Sequence, residues 1–365
     1  MKALVIGGTG PTGPSLVNGL SAQGWDVTIL HTGRHEVDSI PASVEHLHCS
    51  PFRVAEVDET LAGRTFDLVF AMYGRLRDLA PYFRGRCGRF MAVGGVPAYR
   101  GFAATGPSWP GGMLAPVRES DERATDDENV KVSRIVHTED LLFEAHPDAT
   151  LFRYPLIYGP GQPNPREWLV VRRILDGRRR VIVADGGLTL RTAGYGPNVG
   201  HALVLAAQHP DVAAGKAYNV GDEHTLTARQ AIEVIGAALG AELEIVNLPA
   251  ALATPARPFL SAEMTLHKFT GVDAIRHDLG YRDVVPAVEA LARTARHLAT
   301  NPVERGSTME MRLQDPFDYE AEDRLVAHYR AAMAAVAPVA DEYDPDFRDR
   351  YSPGSDDWRL VEAKS

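Results

Sequence analysis

The stretch KVSRIVHTEDLLFEA at residues 131–145 carries acid and base side chains at the apolar spacing of an amphipathic helix. Lys131, His137 and Glu139 are residue types that can donate or accept protons in catalysis. Such a helix packs one face on a core and leaves the other in solvent. His137 lies off the apolar stripe, so we expect it to face solvent. Lys131 and Glu139 remain to be placed.

A second chemical signal is the glycine-rich stretch VIGGTGPTGPSLVNGL near the N-terminus. Gly7, Gly10 and Gly13 follow an apolar strand and open a helix. Glycines at this spacing permit a tight turn, a close approach of backbone to a pyrophosphate and close packing of helix on sheet. The pattern predicts dinucleotide binding. The alternative is a glycine turn with a structural role alone.

The end of the second predicted strand, in DVTILHTGRHE, bears on the choice of dinucleotide. An acidic residue there accepts hydrogen bonds from the ribose hydroxyls, whereas an arginine favours a 2′-phosphate. This chain has His31 at that position and Arg34 just beyond it. The pattern favours NADP over NAD, and the alternative is that Arg34 is an exposed loop cation.

The elements that must position these residues alternate along the first half of the chain. Short β-type runs such as KALVIGG, DVTILH, FDLVFAMY and RFMAVGG are separated by helical patterns. This alternation predicts an α/β fold with a doubly wound parallel sheet of Rossmann type. We predict three parts: a dinucleotide-binding domain at 1–158, a smaller substrate domain at 159–305, and a C-terminal helix with an acidic tail at 306–365.

Composition limits the classes of partner. The chain has 365 residues, 45% of them hydrophobic, and a formal net charge of −10. An acidic chain is a poor match for a phosphate backbone, so nucleic acid is not an expected partner. The basic run at residues 172–180 is read as cations at a helix end or in solvent. No apolar run approaches the length of a membrane span, and we expect a cytoplasmic protein.

Cysteine and histidine patterns argue against a disulfide framework or a metal centre. The two cysteines, Cys49 and Cys87, fit a reducing compartment. His46, His48 and Cys49 lie along one predicted strand and do not define a single ligand set. We therefore predict no metal site.

Three motifs together resemble the extended short-chain dehydrogenase/reductase superfamily of the NAD-dependent epimerase/dehydratase type. They are GGTGPTGP, the Tyr158-Gly159-Pro160 motif within LFRYPLIYGPG, and KAYNVGDEHTLTARQAIEVIGAALG. The resemblance runs from residue 1 to about residue 302. It implies an NAD(P)-binding Rossmann domain, a small substrate domain, and a homodimer built through a helical bundle.

The same resemblance implies roles for further residues. Thr12 and Pro155 join the glycines as cofactor contacts, and Arg191 falls where many members place an arginine on the substrate pyrophosphate. An ordinary structural salt bridge is the alternative for Arg191. The expected substrate is a small molecule that is phosphorylated or nucleotide-linked. Asn198 stands at a position that is usually aspartate.

The resemblance also implies a catalytic Tyr-x-x-x-Lys pair on one helix and a Ser or Thr after the fifth strand. When Glu139 is matched to the glutamate that follows the pair, these positions fall on Lys131, Ile135 and Gly95. All three usual side chains are then missing. Lys131, if partly buried beside the nicotinamide, could act as an acid or base; otherwise it faces solvent at a helix start.

Tyr73, after the fourth strand, is a second candidate proton donor, with a packed or exposed tyrosine as its alternative. We therefore predict an NAD(P)-dependent oxidoreductase or epimerase/dehydratase-like enzyme with a non-standard active site. The segments PNPREWLVVRRILDG and RTAGYGPNVGHAL also look like the chloroplast stem-loop RNA-binding branch of the superfamily. The alternative function is therefore an NAD(P)-binding protein without redox catalysis, acting as a regulatory or RNA-interacting module.

Overall fold

A parallel sheet of seven strands forms the centre of the protein. The computed structural model describes residues 1–72, 74–103, 110–126, 128–260 and 265–343. The strands are β1 (Lys2–Ile6), β2 (Asp26–His31), β3 (Glu45–His48), β4 (Phe66–Ala71), β5 (Cys87–Gly95), β6 (Thr150–Tyr154), β7 (Leu156–Tyr158), β8 (Arg180–Ala184), β9 (Ala193–Tyr195), β10 (Ala217–Asn219) and β11 (Glu244–Leu248). The large sheet runs in the order β10-β6-β5-β4-β1-β2-β3.

The described ranges also contain α-helices, which lie between the strands in sequence and after the last of them. They are α1 (Gly13–Ala22), α2 (Val54–Leu61), α3 (Leu76–Phe83), α4 (Val130–Ala145), α5 (Trp168–Leu175), α6 (Gly196–Gln208), α7 (Pro210–Ala213), α8 (Ala228–Ala238), α9 (Arg257–Leu260), α10 (Asp273–Leu279), α11 (Ala287–Thr300), α12 (Thr308–Met311) and α13 (Tyr319–Asp341). No helix in the described ranges is both long and apolar enough to cross a membrane.

The apolar runs become strands because the sheet is buried on both faces. Residues 3–6 of β1 alternate between two cores: Ala3 and Val5 pack with α1 and α6, whereas Leu4 and Ile6 pack with α2 and α3. All four are fully buried. A parallel strand covered on both faces needs a continuous apolar sequence rather than an alternating one. The predicted doubly wound α/β fold is confirmed.

Strand order places the edge where ligands are expected. Strand β1 pairs with β2 on one side and with β4 on the other, so the crossovers reverse direction at β1. In open parallel sheets, ligands bind beside such a switch point, at the carboxyl ends of the strands. In this chain that edge comprises the residues after Ile6, Ala71, Gly95 and Tyr154.

Beyond β6 the chain forms two small parallel pairs, β7 with β9 and β8 with β11. Residues Met1–Asp315 make one compact unit, and Pro316–Ser365 make a second. In the second unit, α13 begins after Asp318, whose carboxylate accepts a hydrogen bond from the Ala321 amide at 3.0 Å. The predicted boundaries at residues 158 and 305 stay predictions.

Candidate functional site

The glycine loop has the backbone that its spacing predicted. Gly7 and Gly8 have φ values of 109° and 88°, which disfavour residues with a side chain. A Cβ on Gly13 would lie 2.1 Å from the Gly8 carbonyl oxygen, whereas a Cβ on Gly10 would meet no described atom within 4 Å. Gly13 therefore permits the turn itself, and Gly10 faces the open side of the loop.

The start of α1 suits an anion. Thr12 is buried before the helix, and its hydroxyl accepts a hydrogen bond from the Tyr154 hydroxyl at 3.2 Å rather than capping α1. Pro14 in the first turn has no N–H and the Gly13 amide donates to the Gly10 carbonyl at 3.0 Å, so the helix start attracts a phosphate group chiefly through the positive end of its dipole. Pro155, buried at the end of β6, follows Tyr154. Loop, helix start and strand end thus fit a dinucleotide pyrophosphate.

Close packing of α6 fixes this loop from behind. A Cβ on Gly196 would lie 2.2 Å from the Pro11 carbonyl oxygen, and one on Gly200 would lie 2.6 Å from the Ser15 Cβ. Both helical glycines allow α6 to approach the loop and α1 at backbone distance. The loop is therefore held by the second half of the chain.

At the end of β2, His31 is buried and Arg34 is exposed. Burial lowers the pKa of His31, and the nearby Glu36 carboxylate opposes this effect. His46 and His48 of β3 lie against His31, with Glu36 between them. The expectation that these histidines would not converge is wrong, because parallel pairing in register places β3 side chains beside those of β2.

A cavity of about 420 Å³ lies between the end of β5, the start of α3 and α4. We call it the β5–α4 cavity. Gly95 and Ile135, to which the family resemblance assigns the positions of the usual hydroxyl and lysine, both line it. Lys131 does not line it: this residue is exposed in the first turn of α4, where its amide donates to the Asn129 Oδ1 at 2.9 Å. Lys131 therefore lies in solvent at the start of a helix, which was the stated alternative to partial burial beside the nicotinamide.

Glu139 holds α4 on the sheet. Both of its carboxylate oxygens accept hydrogen bonds from the Arg153 guanidinium, at 3.0 and 2.8 Å. Arg153 also donates to the Tyr99 hydroxyl, which donates to Asn219 Oδ1, each at 2.7 Å. All four side chains are buried. Glu139 therefore positions the helix, and His137 on the opposite face is exposed as expected.

A second cavity, of about 160 Å³, lies among β7, β9, α5 and α8 and collects cationic side chains. We call it the basic cavity. Arg166, Arg191 and Lys268 line it, together with the acidic residues Glu167 and Asp222. It also reaches Leu156, the residue after Pro155, so it begins close to the carboxyl end of β6. The structure thus brings Arg191 together with two cations that the sequence did not single out.

Burial perturbs the ionisable groups of the basic cavity. It lowers the pKa of Lys268 to about 8, and the charges of Arg191 and Arg166 contribute in the same direction. It lowers the pKa of Arg191 to about 10, again with help from Arg166. Burial raises the pKa of the Glu167 carboxyl. A bound anion would relieve this crowding of cations, because it favours their charged forms.

Local contacts orient the Arg166 and Lys268 side chains. The Arg166 Nη1 donates to the carbonyl oxygens of Pro258 and Phe259, and its Nε is buried without a hydrogen-bond partner among the described atoms. The Lys268 Nζ lies 4.2 Å from the centroid of the Phe102 ring, in the segment that follows β5. Lys268 therefore lies between the basic cavity and the segment around Phe102.

Asn198, at the position that is usually aspartate, has a structural role. Its Nδ2 donates to Asp222 at 2.9 Å and to the Val285 carbonyl at 2.8 Å, and its Oδ1 accepts from the Val285 amide. Tyr158 donates to the same Asp222 at 2.6 Å. An amide serves here because both a donor and an acceptor are required.

The sequence singled out the glycine loop and Arg191 as candidate binding residues, but it did not single out Arg166 or Lys268. Arg166 lies within PNPREWLVVRRILDG, which carried a family signal but no assigned role. Lys268 comes 77 residues after Arg191 in the chain and pairs with it through an isolated bridge. No spacing rule predicts such a contact. Tyr73 lies outside the described residues.

Comparisons with known proteins agree with this architecture. Residues 139–221 match the model of the NAD dependent epimerase/dehydratase family. The uncharacterized protein y4nL of Sinorhizobium fredii is 34% identical over 92 residues, which is a quarter of this chain and a quarter of that relative.

Solved structures share the fold over most of the chain. A dTDP-glucose 4,6-dehydratase from Bacillus anthracis in complex with NAD matches with a TM-score of 0.63 at 14% identity, covering 83% of this chain and 97% of that one. A UDP-glucuronic acid 4-epimerase from Bacillus cereus, in complex with UDP-glucuronic acid and NAD, gives 0.63 at 14% identity over 82% and 100%. The UDP-glucose 4-epimerase of Thermotoga maritima gives 0.62 at 17% identity over 82% and 99%.

At these sequence identities the structural likeness establishes the fold alone. The match of residues 139–221 to the family model is a separate indication of similarity to that family. The chain therefore shares the fold of these epimerase and dehydratase structures, and its residues 139–221 resemble the NAD dependent epimerase/dehydratase family.

Proposed function

We propose that the protein is an NAD(P)-dependent oxidoreductase or epimerase-type enzyme that acts on a small phosphorylated substrate. The observation that carries the proposal is the basic cavity, which is lined by Arg166, Arg191 and Lys268 and reaches Leu156, two residues after the end of β6. The nicotinamide, when bound, would accept or donate a hydride. The protein would hold the dinucleotide through the glycine loop and the first turn of α1.

The substrate class follows from charge and size. Three cations in one partly buried cavity favour an anion with several oxygens, and planar guanidinium groups suit a phosphate. The cavity of about 160 Å³ is smaller than the roughly 300–1,000 Å³ typical of drug-sized ligands. A phosphoryl group on one sugar or a comparably small molecule fits better than a whole nucleotide sugar.

Lys268 is our leading candidate for proton transfer in place of the usual tyrosine and lysine. An amine with a pKa of about 8 can both release and accept a proton near neutral pH. Lys131, exposed on α4, and Tyr73 remain proposals as alternative groups. The proposed site would then lack the Ser-Tyr-Lys set, since Gly95 and Ile135 occupy two of its positions.

Substrate turnover tests the proposal. Reduced cofactor is followed by its absorbance while the enzyme is given NAD(P) and a panel of sugar phosphates and nucleotide sugars. For the substrate found, Arg191→Met should raise KM by about tenfold to 100-fold through the lost charged hydrogen bonds. Arg229→Met is the matched control, because Arg229 is exposed and pairs with Glu233 on α8. Equal KM values for the two variants would contradict the assignment of the basic cavity.

Cofactor choice is a separate part of the proposal. We propose NADP over NAD on the position of Arg34, three residues beyond the end of β2 and exposed to a 2′-phosphate. Arg34→Ala should weaken NADP by about tenfold and leave NAD unchanged, as measured by calorimetric titration of both. A wild-type protein that binds NAD more tightly than NADP would overturn this preference.

Ile135 and Gly95 have no side-chain group that can donate or accept a proton. This favours one further candidate function, that of a cofactor-binding protein without redox catalysis. Tight dinucleotide binding with no turnover across the panel would support it. Salt-dependent retention of RNA would support the RNA-interacting form of that candidate. The homodimer implied by the family resemblance also remains a proposal, to be tested by sedimentation equilibrium.

A further inference from the structure

Four metal-ligating side chains meet at the carboxyl ends of β2 and β3. They are His31, Glu36, His46 and His48, and we call them the His-Glu cluster. His31 is the register partner of His48 in the parallel pair, and His46 and His48 lie two residues apart on the same face of β3. Glu36 comes from the loop after β2. Two strands and one loop therefore supply the cluster.

The separations between ligand atoms suit a small ion. His31 Nε2 and His46 Nδ1 are 3.3 Å apart, and Glu36 oxygens lie 3.1 Å from His46 Nδ1 and 3.2 Å from His48 Nε2. One ligand atom from each residue lies within 4.8 Å of all the others. Zinc bonds of roughly 2.0–2.1 Å imply tetrahedral edges of about 3.4 Å. Small rotations of the side chains would close the set.

Ring orientation supports convergence of the nitrogens rather than stacking. The His31 ring is nearly perpendicular to that of His48, at 86°, and the rings of His46 and His48 are at 89°. Gly33 lies against His48: a Cβ there would lie 3.3 Å from the ring Cγ. Metal binding through His31 Nε2 would put the proton on Nδ1 and replace the long 3.4 Å contact from the Gly33 amide.

We propose that His31, Glu36, His46 and His48 form a binding site for a divalent first-row transition-metal ion of the zinc type. Imidazole nitrogens and one carboxylate suit zinc, cobalt, nickel and copper, whereas magnesium and calcium prefer oxygen ligands. Four protein ligands leave no open tetrahedral position, which is the pattern of a structural ion. The ion would tie β2 and β3 to the loop that carries Arg34. The metal proposal rests on the geometry of the His-Glu cluster and not on the proposed catalysis.

Metal titration of the full chain tests the site. Untagged protein freed of metal by a chelator is titrated calorimetrically with zinc chloride, and with magnesium chloride for comparison. The wild type should bind one zinc ion per chain and release protons, and should give no magnesium heat. The double variant His46→Ala, His48→Ala should bind zinc roughly 100-fold more weakly or not at all.

Two further variants separate the site from general effects. His137→Ala, a change of an exposed histidine on α4, should keep wild-type zinc affinity, and Glu36→Gln should lose affinity without perturbing the sheet. Cobalt should give the visible absorption of a tetrahedral ion in the wild type and not in the double variant. Far-ultraviolet circular dichroism checks that each variant is folded. Equal zinc affinity in the wild type and the double variant would overturn the proposal, as would a wild type that binds no zinc.

Discussion

At the scale of the residue, the burial of the Lys268 ammonium lowers the stability of the fold at neutral pH. Its pKa falls from 10.5 to about 8 on folding, chiefly through burial. Between these values the unfolded chain binds more protons than the folded one, so stability rises with pH across that window. The destabilisation is complete below pH 8 and is lost as pH approaches 10.5.

Lys268→Met should therefore stabilise the protein while it weakens the binding of phosphate-bearing ligands. At neutral pH we expect the free energy of unfolding to rise by about 1 kcal/mol, after allowance for partial solvent screening. Urea unfolding at several pH values measures this, and the gain should shrink as pH rises. Lys216→Met is the control, since Lys216 is a surface cation paired with Asp278. A Lys268→Met variant less stable than the wild type at neutral pH would contradict the account.

At the scale of the element, the glycine loop separates a steric role from a binding role. Gly10→Ala should fold normally and bind cofactor nearly normally, because its Cβ would enter open space. Gly10→Glu should also fold but should weaken dinucleotide binding by at least about tenfold, since a carboxylate would face the pyrophosphate. Calorimetric titration with NAD and NADP measures both. Unchanged affinity in Gly10→Glu would remove the loop from the cofactor site.

One buried ion pair, Arg153 with Glu139, joins β6 to α4. Glu139→Gln would leave the Arg153 guanidinium buried without its full counter-charge, with side-chain exposures of only 2% and 4% in the native pair. We expect a loss of about 3–5 kcal/mol in the free energy of unfolding. Glu233→Gln, in an exposed pair on α8, should change it by no more than about 0.5 kcal/mol. A similar small loss in both variants would mean that Glu139 does not anchor the helix.

Elements were predictable where local pattern and tertiary need coincide. The strands of the N-terminal half were predictable from continuous apolar runs, because a strand buried on both faces requires such a run. Helix α1 was predictable from the glycine pattern at its start. The His-Glu cluster was not predictable in this way. The sequence predicts that His46 and His48 lie on one strand. Their contact with His31, however, depends on the register between β2 and β3, which the hydrophobic pattern alone does not specify.

At the scale of the whole molecule, cationic side chains cluster in one cavity although the net charge of the chain is negative. The chain carries a net charge of −10, yet Arg166, Arg191 and Lys268 meet in one cavity. Net charge therefore says little about the ligand of an interior site. The cations come from separate parts of the chain, and only the folded arrangement of β7, β9 and the segment around Lys268 brings them together. Arg191 was predictable through the family resemblance, and its neighbours were not.

The most direct test of the central claim is mass spectrometry of the ligands retained by natively purified protein. We expect one nicotinamide dinucleotide per chain on the wild type, retained by Gly10→Ala and lost from Gly10→Glu. A wild-type protein that neither retains a nicotinamide dinucleotide nor binds one on addition would contradict the account.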